Sequence, residues 1–442
     1  IYIILSEHNG KKFESPNINN YPGVENWLIF DNHTGIIYHL HLHYQLISGI
    51  THVKEYLLPW AEAFLQTAIR DKGYQIKIAE PNLELILLLT RIVLKMKMKD
   101  VIKARLNRYQ IPDGLKGELQ YLISLADVNK INEFACKWYQ ISTVNRMIHL
   151  IKEKNFSPHN IILLRKKIIQ DLQVYHRMSS SIVFIQYHWE NFLKKLSRIR
   201  YYRGKLVCKK CSGTGGRIIA FIGVDGSGKT TLSKEIEQWL SKKIECNTVY
   251  LGSGDVGNSK VLSIYKKIYR TFHSMNIRIN KRYPWLSKGS EVLKNIAYIK
   301  FIISIEKRNK RNIIRMNKYR INGGITILDR YPQLEIENMH DGPKLVQLRG
   351  KSYFCDKYIE KEKKLLQTAI LIYPDIIFRL HISLDTCIHR KAEHNNAIEY
   401  FKEKNRTVKL LDFPNSQIYE IDAEKDYAEE LLEIKRIIWA NI

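Results

Sequence analysis

At 442 residues, with apolar side chains making up 45%, the chain can build the cores of two or three domains, which excludes global disorder. Its formal net charge of +27 points to an anionic partner, either a polyanion or a nucleotide substrate. Abundant Lys, Ile, Asn and Tyr beside sparse Ala and Gly favour a plainer cause, the codon bias of an AT-rich genome, so nucleic acid is not the favoured partner. No membrane partner is expected, because the most apolar run, residues 83–94, is too short to span a bilayer and contains Glu84 and Arg91. The first five residues are apolar but lack the basic start of a signal peptide. Cys136, Cys208, Cys211, Cys246, Cys355 and Cys387 do not have the spacing of a disulfide framework, and a reducing, cytoplasmic setting fits them.

In chain order, residues 27–30 and 36–44 alternate around Asp31-Asn-His-Thr-Gly35 and predict a β-hairpin. His39, His41 and His43 then share one strand face. Imidazoles placed so can bind Zn²⁺, but a polar, partly exposed face is preferred. Pro81 opens a helix whose apolar residues continue to Leu94. From 101 to 206 the pattern is helical: Ile161, Leu164, Ile168 and Leu172 recur at helical spacing, as do Ile182, Phe184, Ile185, Trp189, Phe192 and Leu196. The basic residues among 193–200 read as a solvated helix face rather than a nucleic-acid arm. Residues 207–216 are a Gly-containing linker, and the lone Cys208-Lys-Lys-Cys211 within it reads as linker thiols.

Residues 218–222, Ile-Ile-Ala-Phe-Ile, suit a strand buried on both faces of a parallel sheet. Directly after it, Gly223-Val-Asp-Gly-Ser-Gly-Lys-Thr230 fits GxxxxGK[ST] without a mismatch, and an amphipathic helix follows through Leu240. A triphosphate must rest on backbone N–H groups, so Gly223, Gly226 and Gly228 remove side chains where the loop curls around it. Asp225, Ser227 and Thr231 complete the nucleotide-binding stretch, and the helix N-terminus adds positive potential. Lys229 reaches the β- and γ-phosphates, and Thr230 offers a hydroxyl to Mg²⁺. ATP and Mg²⁺ are the expected cofactors. The loop alone does not separate kinases from GTPases, motors or helicases.

Four stretches make residues 217–442 resemble thymidylate kinase and its relatives. They are the loop with an acid, Asp225, before its second glycine; Gly323-Gly-Ile-Thr-Ile-Leu-Asp-Arg-Tyr331; residues 373–385 with His389-Arg-Lys391; and Ile418-Tyr-Glu-Ile-Asp-Ala423 with its acidic helix. The resemblance implies an α/β P-loop NTPase domain, a parallel sheet flanked by helices, that transfers the γ-phosphoryl of ATP to a nucleoside monophosphate-like acceptor. It implies that Asp329 serves the metal and the acceptor, that Arg330 contacts the acceptor's phosphate, and that Asp225 meets its sugar. Arg390 and Lys391 fall where the lid begins and would steady the migrating phosphoryl group; a solvated helix face is the alternative. Arg308 and Arg311 share a helix face that either serves the acceptor pocket or is solvated. Such kinases are often homodimers.

Three features depart from the family pattern. The segment after the second strand, residues 252–257, has no arginine; Asp341-Gly-Pro343 is unfamiliar; and the lid region, 393–409, lacks an arginine-glycine cluster. Thymidine monophosphate is therefore one candidate among nucleotides and other small acceptors. The region 1–100, through its hairpin and residues 79–88, resembles α+β nucleotidyltransferase-like domains of small-molecule transferases. Those enzymes hold Mg²⁺ with an Asp-x-Asp pair, absent here, and His39, His41 and His43 stand where the third acid would fall. The domain is expected to be silent, or to have its acids upstream of residue 1. Two other readings of the whole chain stay open: a nucleotide-binding switch or regulatory ATPase acting on nucleic acid or a partner protein, and a bifunctional transferase–kinase for a sugar or other small metabolite.

Overall fold

The computed structural model of the protein describes residues 2–15, 23–51, 53–71, 73, 76–198, 209–252, 259–390 and 398–442. Cys208, Lys391, residues 253–257 and residues 393–397 of the expected lid lie outside them, as does the side chain of Arg390.

The chain divides into two compact units, residues 1–16, 27–40 and 197–442 in one and 17–26 with 41–196 in the other. These units do not follow the expected boundaries at 100 and 206. The reason lies in the hairpin, whose apolar side chains are buried with the C-terminal domain. In the first unit, β1 (Gly10–Glu14), β2 (Val24–Phe30), β3 (Ile37–His43) and β4 (Cys211–Ser212) form a sheet in the order β3-β2-β1-β4. Phe30 lies 5.6 Å from the Trp439 ring and edge-on to Trp239 at 5.8 Å. Trp239 Nε1 donates to Gly35 O at 2.8 Å, and Lys11 Nζ donates to Trp439 O at 2.6 Å and Ile442 O at 2.7 Å.

The rest of this unit is a five-stranded parallel sheet with helices. Its elements are β5 (Ile218–Gly223), α1 (Lys229–Ser241), β6 (Cys246–Tyr250), α2 (Lys260–Arg282), α3 (Ser287–Ile321), β7 (Ile325–Asp329), α4 (Tyr353–Ile370), β8 (Ile376–His381), α5 (Leu384–Arg390), α6 (Ile398–Val408), β9 (Gln417–Asp422) and α7 (Tyr427–Asn441). The strand order is β6-β7-β5-β8-β9, every pair parallel. β5 is central and buried, as its unbroken apolar run requires. Phe221 on β5 stacks on Phe378 of β8 with ring centroids 5.2 Å apart. The register sets Asp329, at the end of β7, beside Tyr250 on one side and Phe221 on the other. Asp329 is therefore delivered to the end of the sheet where β5 runs into the phosphate loop.

In the second unit the helix Pro81–Leu94 begins where Pro81 predicts, with the Glu80 carboxylate accepting from Asn82 N at 2.8 Å and Leu83 N at 3.0 Å. Five further helices, Met98–Arg105, Asp113–Ser124, Val128–Ala135, Ile141–Glu153 and Pro158–Asp171, build a core around its buried leucines and isoleucines. The helix Ser180–Arg198 also forms, but Ile182, Phe184, Ile185, Trp189 and Phe192 on it are exposed. On β3, His41 and His43 are exposed, with ring centroids 6.2 Å apart. Among the described residues no group of three or more His, Cys, Asp or Glu is placed to hold a metal, and no helix is long and apolar enough to cross a membrane.

Candidate active site

The phosphate loop runs from the end of β5 into α1. Gly228 caps α1 with φ 89°, a left-handed angle that a residue with a Cβ resists. Lys229 opens the helix and turns back into the loop, donating from Nζ to Gly223 O at 3.0 Å and Val224 O at 2.5 Å. It is 5% exposed, and this burial, helped by the nearby Arg330 charge and opposed by Asp225, lowers its pKa to about 8. Ser227 is buried beneath it, whereas Thr231 faces solvent.

A consequence for pH follows. Phosphate oxygens need the charged ammonium, and the free protein holds only half of it near pH 8. Above that pH, binding must recharge Lys229, so affinity for ATP is expected to fall by up to about tenfold per pH unit. Equilibrium titrations between pH 7 and 9.5 measure this directly, and a flat profile would remove Lys229 from the phosphate contacts.

Thr230 Oγ1 donates to Asp329 Oδ2 at 2.6 Å, so the loop and β7 meet through the pair expected to serve a metal. Asp329 is buried, and its other oxygen, Oδ1, has no hydrogen-bond partner among the described residues. A buried carboxylate oxygen with a vacant lone pair, beside a hydroxyl, fits Mg²⁺, which needs only one or two protein oxygens when it travels with nucleotide phosphates.

Arg330 follows Asp329 with φ 79°. That turn aims its guanidinium across the cleft, where Nη2 lies 3.1 Å from Asp225 Oδ1 and Nη1 lies 3.5 Å from Asp341 Oδ2. Burial works against its charge, but Asp341, Tyr250 and Asp225 outweigh burial and hold its pKa above the ordinary arginine value. For Asp225, burial alone would raise the pKa; the charges of Lys404 and Arg330 overcome that and hold the carboxyl well below the usual range.

Lys404 is a residue that sequence reasoning missed. It sits on α6, almost fully buried, with Nζ 2.7 Å from Asp225 Oδ2. Nothing local sets it apart from Lys402 and Lys409 in the same stretch, so the sequence gives no signal for it. His340 was also missed. Its Nε2 lies 3.0 Å from Thr407 Oγ1 of α6, and burial, reinforced by the Lys404 charge, lowers its pKa to about 4, leaving it neutral at pH 7. Gly223, Lys229, Arg330, Tyr331, His340, Asp341, Lys404 and Leu411 line one cleft. Nearby, α3 carries Arg308, whose Nη2 donates to Gly252 O at 2.8 Å, and the buried Glu306, whose pKa burial raises to about 7. Arg311 is exposed and donates to Lys307 O, so the structure separates it from Arg308.

A parallel sheet of order β6-β7-β5-β8-β9, with a GxxxxGKT loop between its central strand and the next helix, decides the fold. The C-terminal half has an α/β P-loop fold. No protein-family model matches the chain. Over 230 residues, 50% of the chain, it is 26% identical to the uncharacterized ATP-binding protein YghR of Escherichia coli strain K12, 86% of which is covered. Over 228 residues it is 28% identical to the uncharacterized ATP-binding protein YghS of the same strain, 92% of which is covered. It is 23% identical over 217 residues to thymidylate kinase of Brachyspira hyodysenteriae, with 87% of that protein covered. Among solved structures, deoxyadenosine kinase from M. mycoides with bound dCTP is similar at 18% identity, over 51% of this chain and 100% of that one, with a TM-score of 0.30. These similarities span about the length of the P-loop domain.

Proposed function

We propose that the P-loop domain is an ATP-dependent kinase that transfers the γ-phosphoryl group to a nucleoside monophosphate-like acceptor. The observation that carries this reading is the meeting of Lys229, Thr230, Asp225, Asp329 and Arg330 at one end of the sheet, although they come from two segments about 100 positions apart. A simple nucleotide-binding loop needs the first two. The acidic and basic groups across the cleft from them suit the handling of a second substrate.

In this reading the loop N–H groups and Lys229 hold the β- and γ-phosphates of ATP. Thr230 and Asp329 would hold Mg²⁺, which supplies charge neutralisation at the phosphate oxygens when bound. Arg330 leaves its carboxylates to clamp the acceptor, and Asp225 meets the acceptor sugar. Lys404 stands 2.7 Å from Asp225 and serves as a lid cation, a role given from sequence to Arg390. Charge spreads over the equatorial phosphoryl oxygens in the transition state, so a cation positioned beforehand stabilises it more than the ground state. Closure of the cleft by the lid would exclude water, which otherwise competes as acceptor. A cytoplasmic location and a homodimer belong to the same proposal.

The test is ADP release from ATP–Mg²⁺ against a panel of nucleoside monophosphates including thymidine monophosphate, with sugars and a blank without acceptor. Turnover that depends on a nucleotide is expected. Turnover with a sugar alone would move the assignment to the bifunctional transferase–kinase reading. Release equal to the blank for every acceptor would replace the kinase by a nucleotide-binding switch, for which salt-dependent polyanion binding is the next measurement.

A further inference from the structure

The chain between β7 and α4 contains the unfamiliar Asp341-Gly-Pro343, and its backbone is strained. Asn338, His340 and Asp341 have φ of 63°, 47° and 60°. Left-handed backbone at residues with a Cβ persists only where the surroundings over-determine it. Here they do. The buried Gln333 donates from Nε2 to Ile336 O and Met339 O, each at 2.8 Å, and its Oε1 accepts from Ile336 N at 2.8 Å. Asn338 N donates to Pro343 O, and Gly342 N donates to Met339 O, each at 2.8 Å. A Cβ on Gly342 would lie 2.1 Å from Ile336 O, so the turn closes only around a glycine.

This clamp fixes the place of Asp341. Its Oδ2 lies 3.5 Å from Arg330 Nη1 and its Oδ1 lies 4.0 Å from Lys344 Nζ, on the wall of the cleft that ends at Lys229. Asp225 takes the other terminal nitrogen of the same guanidinium. Arg330 is thus bracketed by two carboxylates held on separate rigid supports, the phosphate loop and the clamped turn. Ionised carboxylates only accept hydrogen bonds. When Arg330 turns to the acceptor, Lys404 stays on Asp225 Oδ2, but Asp225 Oδ1 and Asp341 Oδ2 are left facing the cleft, and each needs a donor to replace the guanidinium N–H it lost.

Adjacent hydroxyls on one sugar ring supply that pair of donors. A sugar with a single hydroxyl leaves one of these two oxygens without a donor. We infer that Asp341, together with Asp225, reads a vicinal diol, so that the acceptor is a ribonucleotide rather than a 2′-deoxyribonucleotide. This rests on the kinase reading and narrows its substrate. Asp341 is a specificity residue at the acceptor sugar, and Gln333 is the positioning residue that holds its turn.

The experiment compares kcat/KM for matched pairs, UMP with dUMP, CMP with dCMP, AMP with dAMP and GMP with dGMP, in the wild-type chain and in Asp341→Asn. Asparagine adopts φ near +60° readily, so the variant keeps the turn. The wild type is expected to prefer the ribonucleotide of its productive base by about 10- to 100-fold, the range for a hydrogen bond to a charged group. Asp341→Asn is expected to bring that ratio below about threefold. A residue that merely neutralised Arg330 would lower both members of a pair together and leave the ratio alone. Equal or better use of the deoxyribonucleotide by the wild type overturns the inference without recourse to any variant. So does an unchanged ratio in Asp341→Asn. Release at the blank level for all eight nucleotides and for thymidine monophosphate overturns the kinase reading itself, and is told apart because no ratio can then be formed; turnover with thymidine monophosphate alone overturns only the inference.

Discussion

Lys229→Ala is expected to lower acceptor-dependent ADP release by about 10²- to 10³-fold, the effect of deleting one preorganised charge at a phosphoryl-transfer site. Its effect on folding is expected to be small. Among the described residues Lys229 forms no short ion pair with a carboxylate; its ammonium rests on the carbonyls of Gly223 and Val224 and sits 3.4 Å from Ser227 Oγ. Burial already works against its charged form, so removing the ammonium relieves a desolvation cost while losing those contacts. Thermal unfolding should therefore shift little, while turnover collapses. Retained turnover in a preparation freed of contaminating kinase would sink the site assignment. A collapse of both turnover and folding would show that the loop needs the ammonium to close.

The second large effect is structural. Phe378→Ala is expected to destabilise the P-loop domain by about 3–5 kcal/mol, because the side chain is fully buried and the sheet around it cannot collapse to fill the space. Phe378 stacks on Phe221 and approaches Tyr419 with centroids 6.0 Å apart, so its loss opens the seam joining β8 to β5 and β9. Against a total stability of about 5–15 kcal/mol, that is enough to unfold a marginal domain. The melting temperature should drop by about 6–20 °C. Phe184→Ala is the control, since that ring is 62% exposed on its helix and its loss should move stability by less than about 0.5 kcal/mol. A loss below about 2 kcal/mol at Phe378 would mean that the sheet repacks around the gap.

The contrast between these two phenylalanines shows where pattern reading stops. Helical spacing correctly places Phe184, Trp189 and Phe192 on a helix, yet all three are exposed. Periodicity reports which residues share a face and says nothing of whether another element covers it. At residues 218–222 the same reading succeeds, because an unbroken apolar run has no polar face to offer water and must be covered on both sides.

The hairpin of residues 27–44 was legible as a hairpin but not as part of the C-terminal unit. Its attachment runs through Phe30, Trp239 and Trp439, and that of the neighbouring β1 through Lys11 and the backbone of residues 439–442. Those partners are separated by 200 to more than 400 positions, and nothing local in either segment announces the other.

By itself, then, the sequence determined the phosphate loop, the strand before it, the helix after it and the pair Asp329–Arg330. In each case the geometry is set within a few residues, by glycine where the backbone must curl and by apolar runs where a strand must be buried. Only the tertiary structure decided what stands opposite them. Lys404 joins Asp225 from 179 positions away, and Asp341 reaches Arg330 on a turn held by Gln333. A charged side chain acquires its role from the charges it meets, and those are chosen by how the sheet and its connecting loops pack.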